Sequence, residues 1–191
     1  MIRAGRKSSR NSVRRRAPAL LNVTAVGDEE LLRRHRARGR ERAAAEAAGA
    51  PAVPAQHTVV ITCMDARIDP LALFGLRPGD VHVLRNAGGL VTEDVRRSVV
   101  ISQRKLGTRA VLVVQHSGCG LATFTDGEFS DELAVDVGMR PPWRPGAFTD
   151  TATSVREGMA RLRRDPFLLA STVVRGFVLD ITRFTLDEVH D

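Results

Sequence analysis

The chain carries two hydrophobic rhythms. Short, continuous apolar runs rich in β-branched residues, Thr58-Val59-Val60-Ile61-Thr62, Val81-His82-Val83-Leu84 and Ala110-Val111-Leu112-Val113-Val114-Gln115, have the length and composition of buried strands. Between and after them, apolar residues recur at helical spacing. Val91, Val95, Val99 and Leu106 mark a helix over Thr92 to Leu106 that Gly107 stops, and Val155, Met159 and Leu162 share a face of a helix over Thr149 to Arg164, ended before Pro166. Asp69-Pro70, an N-cap followed by proline at the first helical position, opens a short helix that runs to about Gly75, and Pro78-Gly79-Asp80 is a turn. Strands and helices in this order demand a parallel sheet with right-handed crossovers. Val173 to Asp180 and Phe184 to Val189 are strands too close in sequence for a crossover, so they predict a hairpin. The fold class is α/β: a mostly parallel central sheet flanked by helices, with a C-terminal antiparallel hairpin strand. The less regular stretch 121–148 holds a short helix around Glu128 to Val137 and a Pro141-Pro142 loop.

Charge changes how the beginning of the chain is read. The formal net charge is +7, which alone would suggest a nucleic-acid or anionic-surface partner. Residues 1–16 hold Arg3, Arg6, Lys7, Arg10, Arg14, Arg15 and Arg16 and no acid; removing these seven from 29 Lys+Arg leaves 22, against 22 Asp+Glu. The basicity belongs to a tail, and the rest gives no reason to expect nucleic acid or membrane as a partner. Ala17 to Val26 is interrupted by Pro18, Asn22 and Thr24, so the tail is a poor secretory signal and holds no membrane span; its acid-poor, Arg- and Ser-rich composition partly fits an organellar targeting peptide, a disordered extension is the preferred reading, and the expected compartment is cytoplasmic. The domain reading is a disordered basic tail over 1–27, a helical arm and linker over 28–56, and an α/β domain over 57–191. Asp28 to Ala48 has a helix-forming composition with acids at its start, but Leu31, Leu32 and a run of alanines make a thin apolar stripe. Such an arm needs something else to pack on.

The candidate chemistry lies where two of the strands end. The chain has two cysteines, Cys63 directly after the first run and Cys119 three residues beyond His116, which itself follows the third run. Two thiolates and an imidazole are a zinc ligand set, and three protein ligands leave a fourth tetrahedral position for chemistry. Inert core thiols or a disulfide are the alternatives that this spacing alone leaves open. Position favours the metal, because open α/β sheets gather ligand-binding residues past the carboxyl ends of their strands. His35, His57, His82 and His190 have no partners at ligand spacing, and Trp143 reads as loop packing or a subunit contact. Gly88-Gly89 lacks the glycine pattern of a nucleotide loop, though a glycine-rich turn there lets backbone approach a pocket closely.

Cys63-Met64-Asp65-Ala66-Arg67, then Arg85-Asn86-Ala87-Gly88-Gly89, then His116-Ser117-Gly118-Cys119-Gly120 resembles the motif series of the β-class carbonic anhydrases, in order, from about His57 to the C-terminus. The resemblance implies Zn2+ held by Cys63, His116 and Cys119, with Asp65 and Arg67 as the catalytic pair beside it. It implies hydration of carbon dioxide to bicarbonate, no organic cofactor, and a homodimer or higher homo-oligomer in which the arm packs on a second subunit. Zinc lowers the pKa of a bound water, and two thiolates should make that water less acidic than an all-histidine site would. Asp65 is also a possible fourth ligand in a closed state if it parts from Arg67. Two other functions use the same ligands: hydrolysis of carbon disulfide or carbonyl sulfide, and a non-catalytic zinc-binding module. The chain has no tyrosine and seven phenylalanines, whereas plant-type members line the pocket with aromatic residues.

Overall fold

The structure, a computed structural model, describes residues 28–38 and 49–191. The predicted tail, and the arm beyond its first turns, lie outside the described residues. Helix α1, Asp28–Arg38, belongs to an N-terminal unit. Its Glu30 accepts from Arg33 and Arg34 one turn on, while Leu31 and Leu32 are exposed, in keeping with a thin apolar stripe.

The second unit is built on five strands: β1 (Thr58–Cys63), β2 (His82–Asn86), β3 (Ala110–His116), β4 (Val173–Asp180) and β5 (Thr185–Val189). They lie in the order β2-β1-β3-β4-β5, the first four parallel and β5 antiparallel to β4, as the alternation of strands and helices and the short final connection predict. Helices α2 (Pro70–Phe74), α3 (Glu93–Leu106), α4 (Asp126–Val137) and α5 (Thr151–Arg163) complete the unit. Both faces of the sheet are covered. On one, Val59, Ile61, Val111 and Val113 pack with Val95 and Val99 of α3 and with Val155, Met159 and Leu162 of α5, all buried. On the other, Val60, Val114 and Leu179 pack with Ile68, Cys63 and Cys119. The strands thus read as continuous apolar runs because neither face meets water.

Local sequence sets the element ends. Thr92 caps α3, whose first turn holds Glu93 and Asp94 and whose last holds Arg104 and Lys105, matching the helix dipole at both ends. Asp69 caps α2 by accepting from the N–H groups of Leu71 and Ala72, with Pro70 behind it. Helix α4 begins at Asp126 rather than Glu128, because Thr125 and Glu128 form a reciprocal capping box that commits two further residues. Strand β2 also differs from expectation: it starts at His82 and continues through Arg85 and Asn86, which pair with Thr62 and Cys63. Polar side chains are tolerated there because β2 is an edge strand. His82 has a packing role, its Nδ1 lying 2.7 Å from Ser102 Oγ on α3.

Candidate metal centre

The strand order turns back on itself at β1. From β1 the chain steps to β2 on one side, then crosses to β3 on the other, so the carboxyl ends of β1 and β3 open a crevice at a topological switch point. Parallel register sets Thr62 beside Val114, which brings Cys63 and His116 to one rim. The chain then reverses through Gly118, whose φ of 64° is costly for other residues, and returns Cys119 to the same place.

Cys63, His116 and Cys119 are all buried, and their ligand atoms lie within 4.8 Å of one another. The two sulfurs are 4.0 Å apart and unbonded. A tetrahedral zinc with Zn–S near 2.3 Å would hold them about 3.8 Å apart, so the spacing fits the ion without rearrangement. The imidazole makes the stronger case. His116 Nδ1 lies 2.9 Å from the Ser117 carbonyl, which can only accept, so Nδ1 carries the proton and Nε2 presents a lone pair. That Nε2 is buried and, among the described residues, has no hydrogen-bond partner. Leaving such an acceptor unsatisfied costs about 1–3 kcal/mol, and a cation between it and the thiols removes the cost. Burial pushes the Cys119 thiol up, the Leu121 N–H offsets this in part, and Cys63 and Asp65 add to the rise. A positive ion is what would reverse that trend and hold a thiolate here.

Asp65 stands on the rim with its carboxylate toward the cluster, Oδ2 lying 3.8 Å from His116 Nε2. Arg67 grips it with both prongs, Nε to Oδ1 at 2.9 Å and Nη2 to Oδ2 at 2.7 Å, and the Arg67 N–H adds a bond to Oδ1 at 3.0 Å. The guanidinium and that N–H together hold the Asp65 carboxyl far below the usual carboxylate range. The five residues singled out from sequence therefore meet at one rim. Arg85, quoted in the sequence only as part of a motif, also reaches this turn, donating to the carbonyls of Cys63 and Asp65. A bond from side chain to distant backbone leaves no periodic signal by which it could have been found. A cavity of about 510 Å³ lined by Arg96, Arg156, Arg161, Arg164 and Asp165 shares no lining residue with the cluster.

Comparison with known proteins agrees with this geometry. Residues 58–137 match the family model described as carbonic anhydrase. The chain is 42% identical over 139 residues to β-carbonic anhydrase 1 of Mycobacterium tuberculosis, an alignment covering 73% of this chain and 85% of that protein. A solved carbonic anhydrase from Streptococcus mutans superposes with a TM-score of 0.78 at 35% identity, over 85% of this chain and 96% of that one. A carbon disulfide hydrolase from Acidianus is 40% identical over 82 residues, which is 43% of this chain and 40% of that protein. The rim of paired thiols, imidazole and Asp–Arg clasp thus sits on the expected scaffold, and the chain belongs to the β-carbonic anhydrase family.

Proposed function

We propose that the protein catalyses the reversible, zinc-dependent hydration of carbon dioxide to bicarbonate and a proton, with Cys63, His116 and Cys119 holding the metal and Asp65 and Arg67 orienting the nucleophile. The observation that carries this is the orphaned, buried Nε2 of His116 set against two buried thiols. When bound, zinc supplies a Lewis acid that makes a water molecule nucleophilic near neutral pH. The chain's own residues supply the orientation. An ionised Asp65 can only accept, so it takes the proton end of the attacking water and turns the oxygen lone pair toward the substrate carbon. Arg67, fixed on both carboxylate oxygens, would keep Asp65 turned away from the ion that Cys63, His116 and Cys119 would hold. The Ser117 carbonyl holds the His116 ring in the tautomer that ligation needs.

The match to a carbon disulfide hydrolase gives that activity a place in the test, but the alignment spans 40% of that protein against 85% of the mycobacterial relative. Stopped-flow hydration of carbon dioxide, carbon disulfide turnover and zinc content, all measured on one sample, decide between the readings. One zinc per chain with rapid hydration is expected. Zinc with neither activity would leave a non-catalytic module.

The working unit is a homodimer or larger. Met64, next to Cys63, is 65% exposed, and α4 buries none of its residues while Val135, Val137, Met139 and Trp143 stand in solvent. A second copy would cover such a surface. Light scattering on the full chain is expected to give at least twice the 20.8 kDa of one subunit. The cytoplasm is the proposed location, because two buried, unbridged cysteines suit a reducing compartment; among the described residues no helix is long and apolar enough to cross a membrane. Cell fractionation checks it.

A further inference from the structure

The segment Arg85 to Gly89 contributes nothing to the ligand set, yet it wraps the turn that does. The Arg85 guanidinium donates from Nε to the Cys63 carbonyl at 2.9 Å and from Nη2 to the Asp65 carbonyl at 2.7 Å. Between them, the Met64 N–H donates to the Asn86 carbonyl at 2.8 Å. Asn86 closes its own loop with its side chain, Nδ2 donating to the Leu90 carbonyl and Oδ1 accepting the Leu90 N–H, each at 2.8 Å. Gly89, with φ of 62°, lies against the same turn from the other side: a Cβ there would stand 2.9 Å from the backbone nitrogen of Cys63. Residues 63, 64 and 65 are thus each held by β2 or the turn that follows it.

Two of those three contacts come from one planar fork. A guanidinium presents donors at fixed separation and angle, so bridging two carbonyls fixes their mutual orientation; an ammonium on a flexible stem has rotatable donors and imposes no such geometry. The peptide carbonyls of Cys63 and Asp65 flank Met64, whose exposed side chain gives the turn no anchor within the subunit. Arg67 governs how the Asp65 carboxylate rotates, but it sits on the same short turn and reaches outside it only to the Gly118 carbonyl, at a long 3.5 Å, so it does little to fix where that turn stands. The shorter bonds from Arg85, on a neighbouring strand, do so.

We propose that Arg85 is a positioning residue for the hydration reaction, its fork across the Cys63 and Asp65 carbonyls setting where the thiolate and the carboxylate face each other. The inference rests on the zinc reading above. A displacement of about 1 Å in such a constellation is enough for about a hundredfold loss of rate, and outer contacts of metal ligands are typically worth about 10–100-fold.

The test compares Arg85→Met and Arg85→Lys with Arg104→Met. Arg104 also donates twice to backbone, to the Phe167 carbonyl at 3.1 and 2.9 Å, but lies on α3 and makes no contact with the metal rim. Each protein is assayed for kcat, KM, metal content, melting temperature and the visible spectrum of its cobalt-substituted form. Arg85→Met should lose about tenfold or more in kcat with little change in KM and should show an altered cobalt spectrum; Arg85→Lys should fall between it and the wild type. Arg104→Met should lower the melting temperature alone. Wild-type kcat and spectrum in Arg85→Met, or in Arg85→Lys if the methionine variant does not fold, would overturn the inference. So would the same spectral change in Arg104→Met. A wild-type protein with neither zinc nor activity would instead overturn the proposed function, and this inference with it.

Discussion

Two Arg–Asp pairs of this molecule look alike as chemistry and differ in what surrounds them. At the rim, Arg67 clasps both oxygens of Asp65, and the Arg67 N–H reinforces the pair. Far from it, Arg96 of α3 donates to Asp165 just past α5 at 2.6 Å, and the Phe167 N–H donates to the other oxygen at 2.9 Å. Both aspartates are held below the usual carboxylate range. For Asp65 the guanidinium is the largest cause; for Asp165 burial pushes the other way and is outweighed by the Phe167 N–H and Arg96. The Asp165 side chain is 1% exposed and the Asp65 side chain 17%. Asp165 is spent on tying helices together, whereas Asp65 Oδ2 still looks across 3.8 Å at an unpartnered His116 Nε2. A depressed proton affinity therefore marks an ion pair and not a function. Function lies in what the remaining lone pairs face.

The largest expected effect removes what Asp65 faces. Cys63→Ser or Cys119→Ser should bring zinc well below one per chain and carbon dioxide hydration down by about a thousandfold or more, read by elemental analysis and stopped flow on the same sample. In that background a further Asp65→Ala should change nothing, because without the ion the rim pair is as inert as the distant one. Full zinc and normal turnover in either serine variant would undo the assignment of the ligands.

Exchanging the two aspartates for asparagine sharpens the contrast. Asp65→Asn should lower kcat by about a hundredfold and move the melting temperature little, since the pair is surface-exposed on the arginine side. Asp165→Asn should leave kcat as it was and lower the melting temperature by about 5 °C, because a buried charge pair loses one partner. If the two variants exchanged phenotypes, or if both lost stability alike, the distinction drawn between the pairs would fail.

Much of this was legible in the sequence, and for a physical reason. Strands covered on both faces must be apolar throughout, so β1 and β3 announce themselves, and the residues that end them, Cys63 and His116, inherit a position in space from a position in sequence. Asp65 and Arg67 are two residues apart, and a clasp between them needs no tertiary knowledge. Edge strand β2 runs two residues past its apolar stretch, through Arg85 and Asn86, whose polarity an edge allows and a central strand would not. Arg96 and Asp165 are 69 residues apart, and nothing in either neighbourhood names the other. The start of α4 was readable in principle: Thr125 and Glu128 have the spacing of a capping box, which places the first helical residue at Asp126.

The smallest expected effect concerns acid. Both aspartates have folded pKa values below their unfolded value of about 3.9, so folding gains from their ionisation above about pH 4 and loses that gain as the pH falls toward the lower folded values. Neither lends stability any pH dependence between about pH 6 and 8. Melting temperature should therefore stay level on their account across that range and drop below about pH 4, and Asp165→Asn should flatten the drop. The same sign has a consequence for catalysis. Because Arg67 keeps Asp65 ionised well below neutrality, a fall in hydration rate between about pH 7 and 5 cannot be the protonation of Asp65 and must come from another group. The residual activity of Asp65→Asn should then fall through the same midpoint as the wild type, only from a lower plateau. A midpoint that vanished in Asp65→Asn would mean that the rim carboxylate titrates in the working range, that Arg67 does not hold it as the distances of 2.7 and 2.9 Å imply, and that the two ion pairs differ in strength as well as in what they face.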